Sequence, residues 1–126
     1  MKTFYLTDAG KIRTHNEDSV IILNNDNNEY IMAVADGMGG HKAGEVASSI
    51  ATEHIKKSFN KLKTIGSKED AIEWIRSIVT EINNKIFDYT NRHDESKGMG
   101  TTLVLAIKTN DYILFGNIGD SSGFVI

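Results

Sequence analysis

The sequence predicts an α+β fold, an antiparallel sheet covered by a pair of long antiparallel helices. Three observations predict it. Apolar, β-branched runs lie near the start of the chain and recur near its end, two long stretches of helical period separate them, and only a short break divides those two stretches. Strands grouped on either side of two helices favour an antiparallel layer with a helical hairpin on it. A short link between the helices makes them antiparallel neighbours. The 126 residues are enough for one domain with a real core.

The elements follow in order. Phe4 to Thr7 is a short strand candidate. Ser19 to Asn25 and Glu29 to Asp36 are apolar runs around the polar tract Asn24 to Asn28, and they read as a β-hairpin. The second run is continuous rather than alternating, which predicts that both its faces are covered, with Asp36 where the strand ends. From Ala43 the period changes. Ala43, Val46, Ala47, Ile50, Ile55, Phe59 and Leu62 mark mostly one stripe of an amphipathic helix running to about Lys63. The stretch Thr64 to Ser67 breaks it. Ser67, with Asp70 three residues on, is an N-terminal capping signal that also puts an acid near the positive end of the next helix. Ile72, Ile75, Val79, Ile82 and Ile86 carry that helix to about Arg92. His93 to Gly100 is a polar loop. Thr101 to Thr109 and Tyr112 to Ile118 are strands around an Asn110–Asp111 turn. Gly123 to Ile126 begins another strand, and its ending without turn or polar tail reads as a cut inside a sheet.

Composition narrows the function classes. A formal net charge of -3 argues against a general binder of nucleic acid or anionic membrane, so an anionic ligand would need a metal or a placed arginine. The chain has no cysteine, which excludes disulfides, thiolate zinc sites and cysteine nucleophiles and fits a reducing compartment. The N-terminal stretch lacks a signal-peptide core, and no segment approaches the roughly 20 apolar residues of a membrane span. We read the chain as cytoplasmic. Proline is absent, and the breaks fall on Gly, Asn, Asp and Ser.

Three clusters could carry chemistry, each at a strand end or turn. The stretch "RTHNED" holds Arg13, Asn16, Glu17 and Asp18, "DGMGGH" holds Asp36 and His41, and "GNIGDSS" holds Asp120. Carboxylates beside a glycine-opened backbone suit a hard cation such as Mg²⁺ or Mn²⁺, which accepts carboxylates, backbone carbonyls and waters. Gly37 would let its carbonyl turn inward, where a Cβ can obstruct. An arginine nearby would grip a phosphate with two hydrogen bonds. His15, His41, His54 and His93 have no spacing suited to a shared metal, and His54 reads as structural or exposed. The methionines read as gap-filling, although Met38 and Met99 fall in glycine loops. Taken singly, each cluster also reads as an ordinary turn or a solvated surface.

In order and together, "TDAGKIRTHNEDS", "VADGMGGHKAGEVAS", "GMGTTLV" and "GNIGDSS" resemble the metal-dependent protein serine/threonine phosphatases of type 2C, bacterial branch, over nearly the whole chain. The resemblance implies half of an α-β-β-α sandwich. It also implies a centre of two Mn²⁺ or Mg²⁺ ions, with a third, weaker metal site. A water activated by that centre would attack phosphoserine or phosphothreonine in line, without a phosphoenzyme. By the same resemblance Asp36 is the bridging carboxylate and Gly37 the residue whose carbonyl faces a metal. Glu17 and Asp18 are acids that hold the metals directly or through waters. Arg13 grips the phosphate, and Asp120 serves the additional metal site. Asp8 and the threonine pair Thr101 and Thr102 are implied supports around the site.

The chain departs from the family pattern in three ways. Met38 stands where some members have a histidine proposed as general acid, and His41 does not inherit that role, so the general acid is unassigned. Ser122 stands where arginine is usual. Family catalytic domains are also roughly twice as long, and their second half supplies two further aspartates and completes the second sheet. We therefore expect 1–126 to be a single, truncated domain, the N-terminal half of a phosphatase whose substrates are phosphoproteins, plausible targets of a bacterial serine/threonine kinase. Neither nucleic acid nor membrane is an expected partner. The half alone should have little activity, and its exposed edges and apolar face should drive oligomers or strand swapping. The alternative is a pseudo-phosphatase or regulatory module of the same fold. Intact Arg13, Glu17, Asp18 and Asp36 favour an enzyme parent.

Overall fold

The computed structural model describes residues 18–38, 42–93, 98–118 and 124–125. The strand expected at Phe4 to Thr7 lies outside them. In chain order the elements are β1 (Asp18–Asn24), β2 (Tyr30–Met38), α1 (Lys42–Lys61), α2 (Lys68–Arg92), β3 (Gly100–Lys108), β4 (Ile113–Ile118) and β5 (Phe124–Val125). The strands form one sheet in the order β1-β2-β3-β4-β5, every neighbouring pair antiparallel. Both helices are inserted between β2 and β3. α1 lies against β1, β2 and β3, and α2 packs on α1. This is the α+β layer that the sequence predicts.

Strand side chains alternate between faces, and the alternation decides what α1 covers. Ile31, Ala33 and Ala35 of β2 are buried, as are Leu103, Leu105 and Ile107 of β3 and Leu114 of β4. They share a core with Ala51, Ile55 and Phe59 of α1 and with Ala71, Ile75, Ile78 and Ile82 of α2. The part of α1 against the sheet is small: Ala47, Ser48, Ala51 and Thr52 are all buried. Small residues on both sides let helix and strand approach closely. The Thr52 hydroxyl lies 2.9 Å from the Ser19 hydroxyl of β1 and donates to the Ser48 carbonyl at 3.2 Å, so burial leaves it satisfied. A stripe of large apolar residues does not reveal this small polar surface. Val46 and Ile50, which belong to that stripe, are only partly buried and pack beside Ile86 and Tyr89 of α2.

The helices run antiparallel. Phe59 near the end of α1 meets Trp74 near the start of α2, with ring centroids 6.2 Å apart. His54 Nε2 lies 2.6 Å from Glu81 Oε1, and the start of α1 packs beside Tyr89 near the end of α2. α2 begins with a capping box. The Ser67 hydroxyl accepts from the Asp70 N–H, and the Asp70 carboxylate accepts from the Ser67 N–H, both at 3.1 Å. Gly66 precedes it at φ +84, where a Cβ would meet Asp70 Oδ2 at 2.6 Å. The left-handed φ favours glycine there, and a Cβ would push the Asp70 carboxylate out of the cap.

The sheet end away from Asp36 is fastened by a buried acid. Glu29 is 6% exposed. Its Oε1 accepts from Asn25 Nδ2 at 2.8 Å and from the Ile65 N–H at 2.9 Å, and its Oε2 accepts from the Thr64 hydroxyl at 2.9 Å. The β1–β2 turn is thereby tied to the α1–α2 link. Asn25 Oδ1 also accepts from the N–H groups of Asn27 and Glu29, and Asn28 takes the left-handed conformation at φ 62 that asparagine tolerates. The β3–β4 turn joins in. The Tyr112 hydroxyl is shared between the carbonyls of Gly66 and Ser67 at 2.8 and 3.1 Å, and Asn28 Nδ2 donates to Asn110 Oδ1 at 2.9 Å. Burial pushes the Glu29 carboxyl up, but donors from Asn25, Ile65, Thr64 and Gly66 outweigh it and hold it below its ordinary 4.5.

A depressed carboxylate stabilises the fold above its unfolded value, and that contribution is lost as pH falls through the folded value. Glu29→Gln should therefore lower the unfolding free energy at neutral pH by about 1–3 kcal/mol, the worth of charged hydrogen bonds in a buried site. In urea titrations the gap from wild type should narrow below the ordinary 4.5. A gap that stays constant into strong acid contradicts this account.

Candidate metal centre

The sheet's other face carries Asp36, Thr102 and the position of Asp18. Asp36 is exposed there, beyond Val34 at 37% exposure. The run Glu29 to Asp36 predicted a strand covered on both faces. Among the described residues only the Ile31, Ala33 and Ala35 face is covered, because a continuous apolar run looks the same whether or not a second layer is at hand. Nor does Asp36 end the strand. β2 continues to Met38, since Gly37 pairs with Thr101 and Met38 with Gly100 of β3.

The register assembles the site. Asp18 of β1 pairs directly with Asp36 of β2, and Asp36 pairs directly with Thr102 of β3. Directly paired positions of an antiparallel sheet share a face and lie about 4.5–5.5 Å apart at Cβ. Like charges at directly paired positions are in general destabilising. Gly37 follows at once. Among the described residues it lies beyond the last β1 partner of β2, and its own position is buried. Two carboxylate positions and a neighbouring carbonyl are hard oxygen donors, which suit Mg²⁺ or Mn²⁺. They fall short of the roughly six ligands such ions take. No group of three metal-binding side chains occurs among the described residues.

The threonine pair is split. Thr102 shares the open face with Asp36, while Thr101 pairs with Gly37 on the helix side and donates its hydroxyl to the Thr102 carbonyl at 2.8 Å. Met99, in the loop before β3 as expected, is buried in a cluster with Ala43 and Ala47 of α1. It pins the start of β3 under the start of α1. Asp8, Arg13, Glu17, His41 and Asp120 lie outside the described residues. Sequence reasoning did not single out Asn117. The register places it on the open face opposite Val104, and only the register could have found it.

Comparison with known proteins identifies the family. The family model described as Protein phosphatase 2C matches residues 11–126. The "Serine/threonine phosphatase stp" of Listeria monocytogenes is 38% identical over 126 residues, covering 100% of this chain and 50% of that protein. The chain thus spans about half the length of the curated relatives it matches. Among solved structures, a point variant of a bacterial serine phosphatase superposes with a TM-score of 0.80 at 39% identity, covering 91% of this chain and 52% of that one. The catalytic domain of the phosphatase PstP, in complex with two manganese ions, gives a TM-score of 0.66 at 31% identity, covering 86% of this chain and 44% of that one. The chain belongs to the protein phosphatase 2C family.

Proposed function

We propose that this chain is the N-terminal half of a catalytic domain that hydrolyses phosphoserine and phosphothreonine in proteins with the help of divalent metal ions. The observation that carries the reading is the pairing of Asp18 with Asp36 at the end of the open face, where a cation relieves the repulsion of two acids. The family match, and the manganese ions named for one structural relative, support it.

In this reading Asp36, Asp18, Glu17 and the Gly37 carbonyl would hold two Mn²⁺ or Mg²⁺ ions, and Asp120 would serve an additional site. When bound, the ions would acidify a water and offset charge developing on the phosphoryl oxygens. Arg13 grips two oxygens of the phosphate with its planar guanidinium and fixes the phosphorus for in-line attack. Thr102, beside Asp36, offers a hydroxyl to orient that carboxylate, while Thr101 and Asp8 support the backbone around it. In this reading the substrates are phosphoproteins made by a bacterial serine/threonine kinase in the cytoplasm. No helix among the described residues is long and apolar enough to cross a membrane.

Two measurements test the reading. The full-length gene product should hydrolyse a phosphothreonine peptide only with Mn²⁺ or Mg²⁺, and Asp36→Asn should lower kcat/KM by roughly 100-fold or more, the scale set by losing a preorganised group at a charged transition state. Metal-independent turnover, or an active Asp36→Asn, contradicts it. The 126-residue chain by itself should show little turnover and should scatter light as a species larger than a monomer, because Val104 and Phe115 on its open face are 48% and 63% exposed. A monodisperse, active monomer contradicts it.

A further inference from the structure

The open face is laid out in rows by the strand register. One row runs Val20, Val34, Val104, Asn117 and Val125 across all five strands. Four positions are valine and one is asparagine. The next row in one direction holds Asp18, Asp36 and Thr102. In the other direction Ile22, Met32, Ala106 and Phe115 form an apolar row. Asn117 is therefore a single amide set into an apolar field, with the site's polar row beside it.

Asn117 is exposed and has no hydrogen-bond partner among the described residues. While water reaches it, that costs nothing. Once the face is covered, as the proposed phosphatase reading requires, an unpaired amide is destabilising. A valine would fit the row without that cost. The described polar position nearest to it on this face is Thr102, the diagonal neighbour of Asn117 at roughly 7–8 Å, and Thr102 is paired directly with Asp36. The amide is too short to reach Asp36 from two strands away. It can reach an oxygen held between them.

We propose that Asn117 is a positioning residue of the metal cleft, its carboxamide N–H donating to a carboxylate or water oxygen held over Thr102 and Asp36. The inference rests on the phosphatase reading. Removing such an outer hydrogen bond weakens a metal site without removing a ligand.

The test uses the full-length gene product. Mn²⁺ binding is followed by electron paramagnetic resonance, alongside the metal-free thermal midpoint and kcat. Asn117→Val continues the valine row. It should leave the metal-free midpoint unchanged or raised, weaken Mn²⁺ binding roughly 10-fold and lower kcat. Asn117→Ser keeps a donor and should recover part of the binding. If the valine variant does not fold, Asn117→Ala provides the same comparison with Asn117→Ser. Mn²⁺ affinity within twofold of wild type in the valine or alanine variant overturns the proposal, as does a loss of affinity that only tracks a fallen thermal midpoint. Wild-type protein that binds Mn²⁺ without turning over a phosphopeptide sinks the phosphatase reading instead, and the Asn117 comparison is still decided by the binding data. Wild-type protein that binds no Mn²⁺ overturns both.

Discussion

The pleat of β2 is the constraint on which the rest of the structure depends. Ala33 and Ala35 turn to one side and are fully buried, while Val34 and Asp36 turn to the other. The alanines leave room for Ala47, Ser48, Ala51 and Thr52 of α1, and α1 in turn carries α2. A slip of one residue in pairing would send Asp36 into the helix layer and lift the alanines out. The burial that stabilises the helical hairpin thus also fixes the face on which the acid stands.

The two ends of the sheet are built differently. At the Glu29 end, two turns and the interhelical link are tied by a buried carboxylate, a tyrosine hydroxyl and asparagine amides, each with a partner. At the Asp36 end, two acid positions are paired and a glycine adjoins them. The first arrangement lowers the energy of the chain as it stands. The second raises it until a cation or a covering layer arrives. In the proposed reading, function is placed where local stability has been given up, and the fastened end compensates.

Much of this is legible in the sequence, for definite reasons. Ser67 with Asp70, and the Asn110–Asp111 break, announce themselves because caps and tight turns depend on a few adjacent residues. Ile75 and Ile82 stand out because helical period is a local property. Ala71 and Ile78, both buried, fall off the large-residue stripe that leads to them. Glu29 is illegible because its partners lie 35 and 36 residues away and a charge alone reads as solvated. The opposition of Asp18 and Asp36 belongs to the register, which the hairpin suggests but does not set. The second cover over β2 is not found among the described residues for a related reason. An apolar run states that a face will be covered, not which part of the protein covers it.

In the proposed reading, the face bearing Asp36 is interior to the whole protein, so that a metal centre there would lie in a seam rather than on a surface. The chain has no cysteine, so single thiols can report on it cleanly. In the full-length gene product, Val104→Cys should react with a thiol reagent as slowly as Ala33→Cys, which lies under α1. Phe87→Cys on the outer side of α2, where the native residue is 63% exposed, should react fast. If the thiol at 104 reacts as fast as the one at 87, the face is a true surface and the account is wrong.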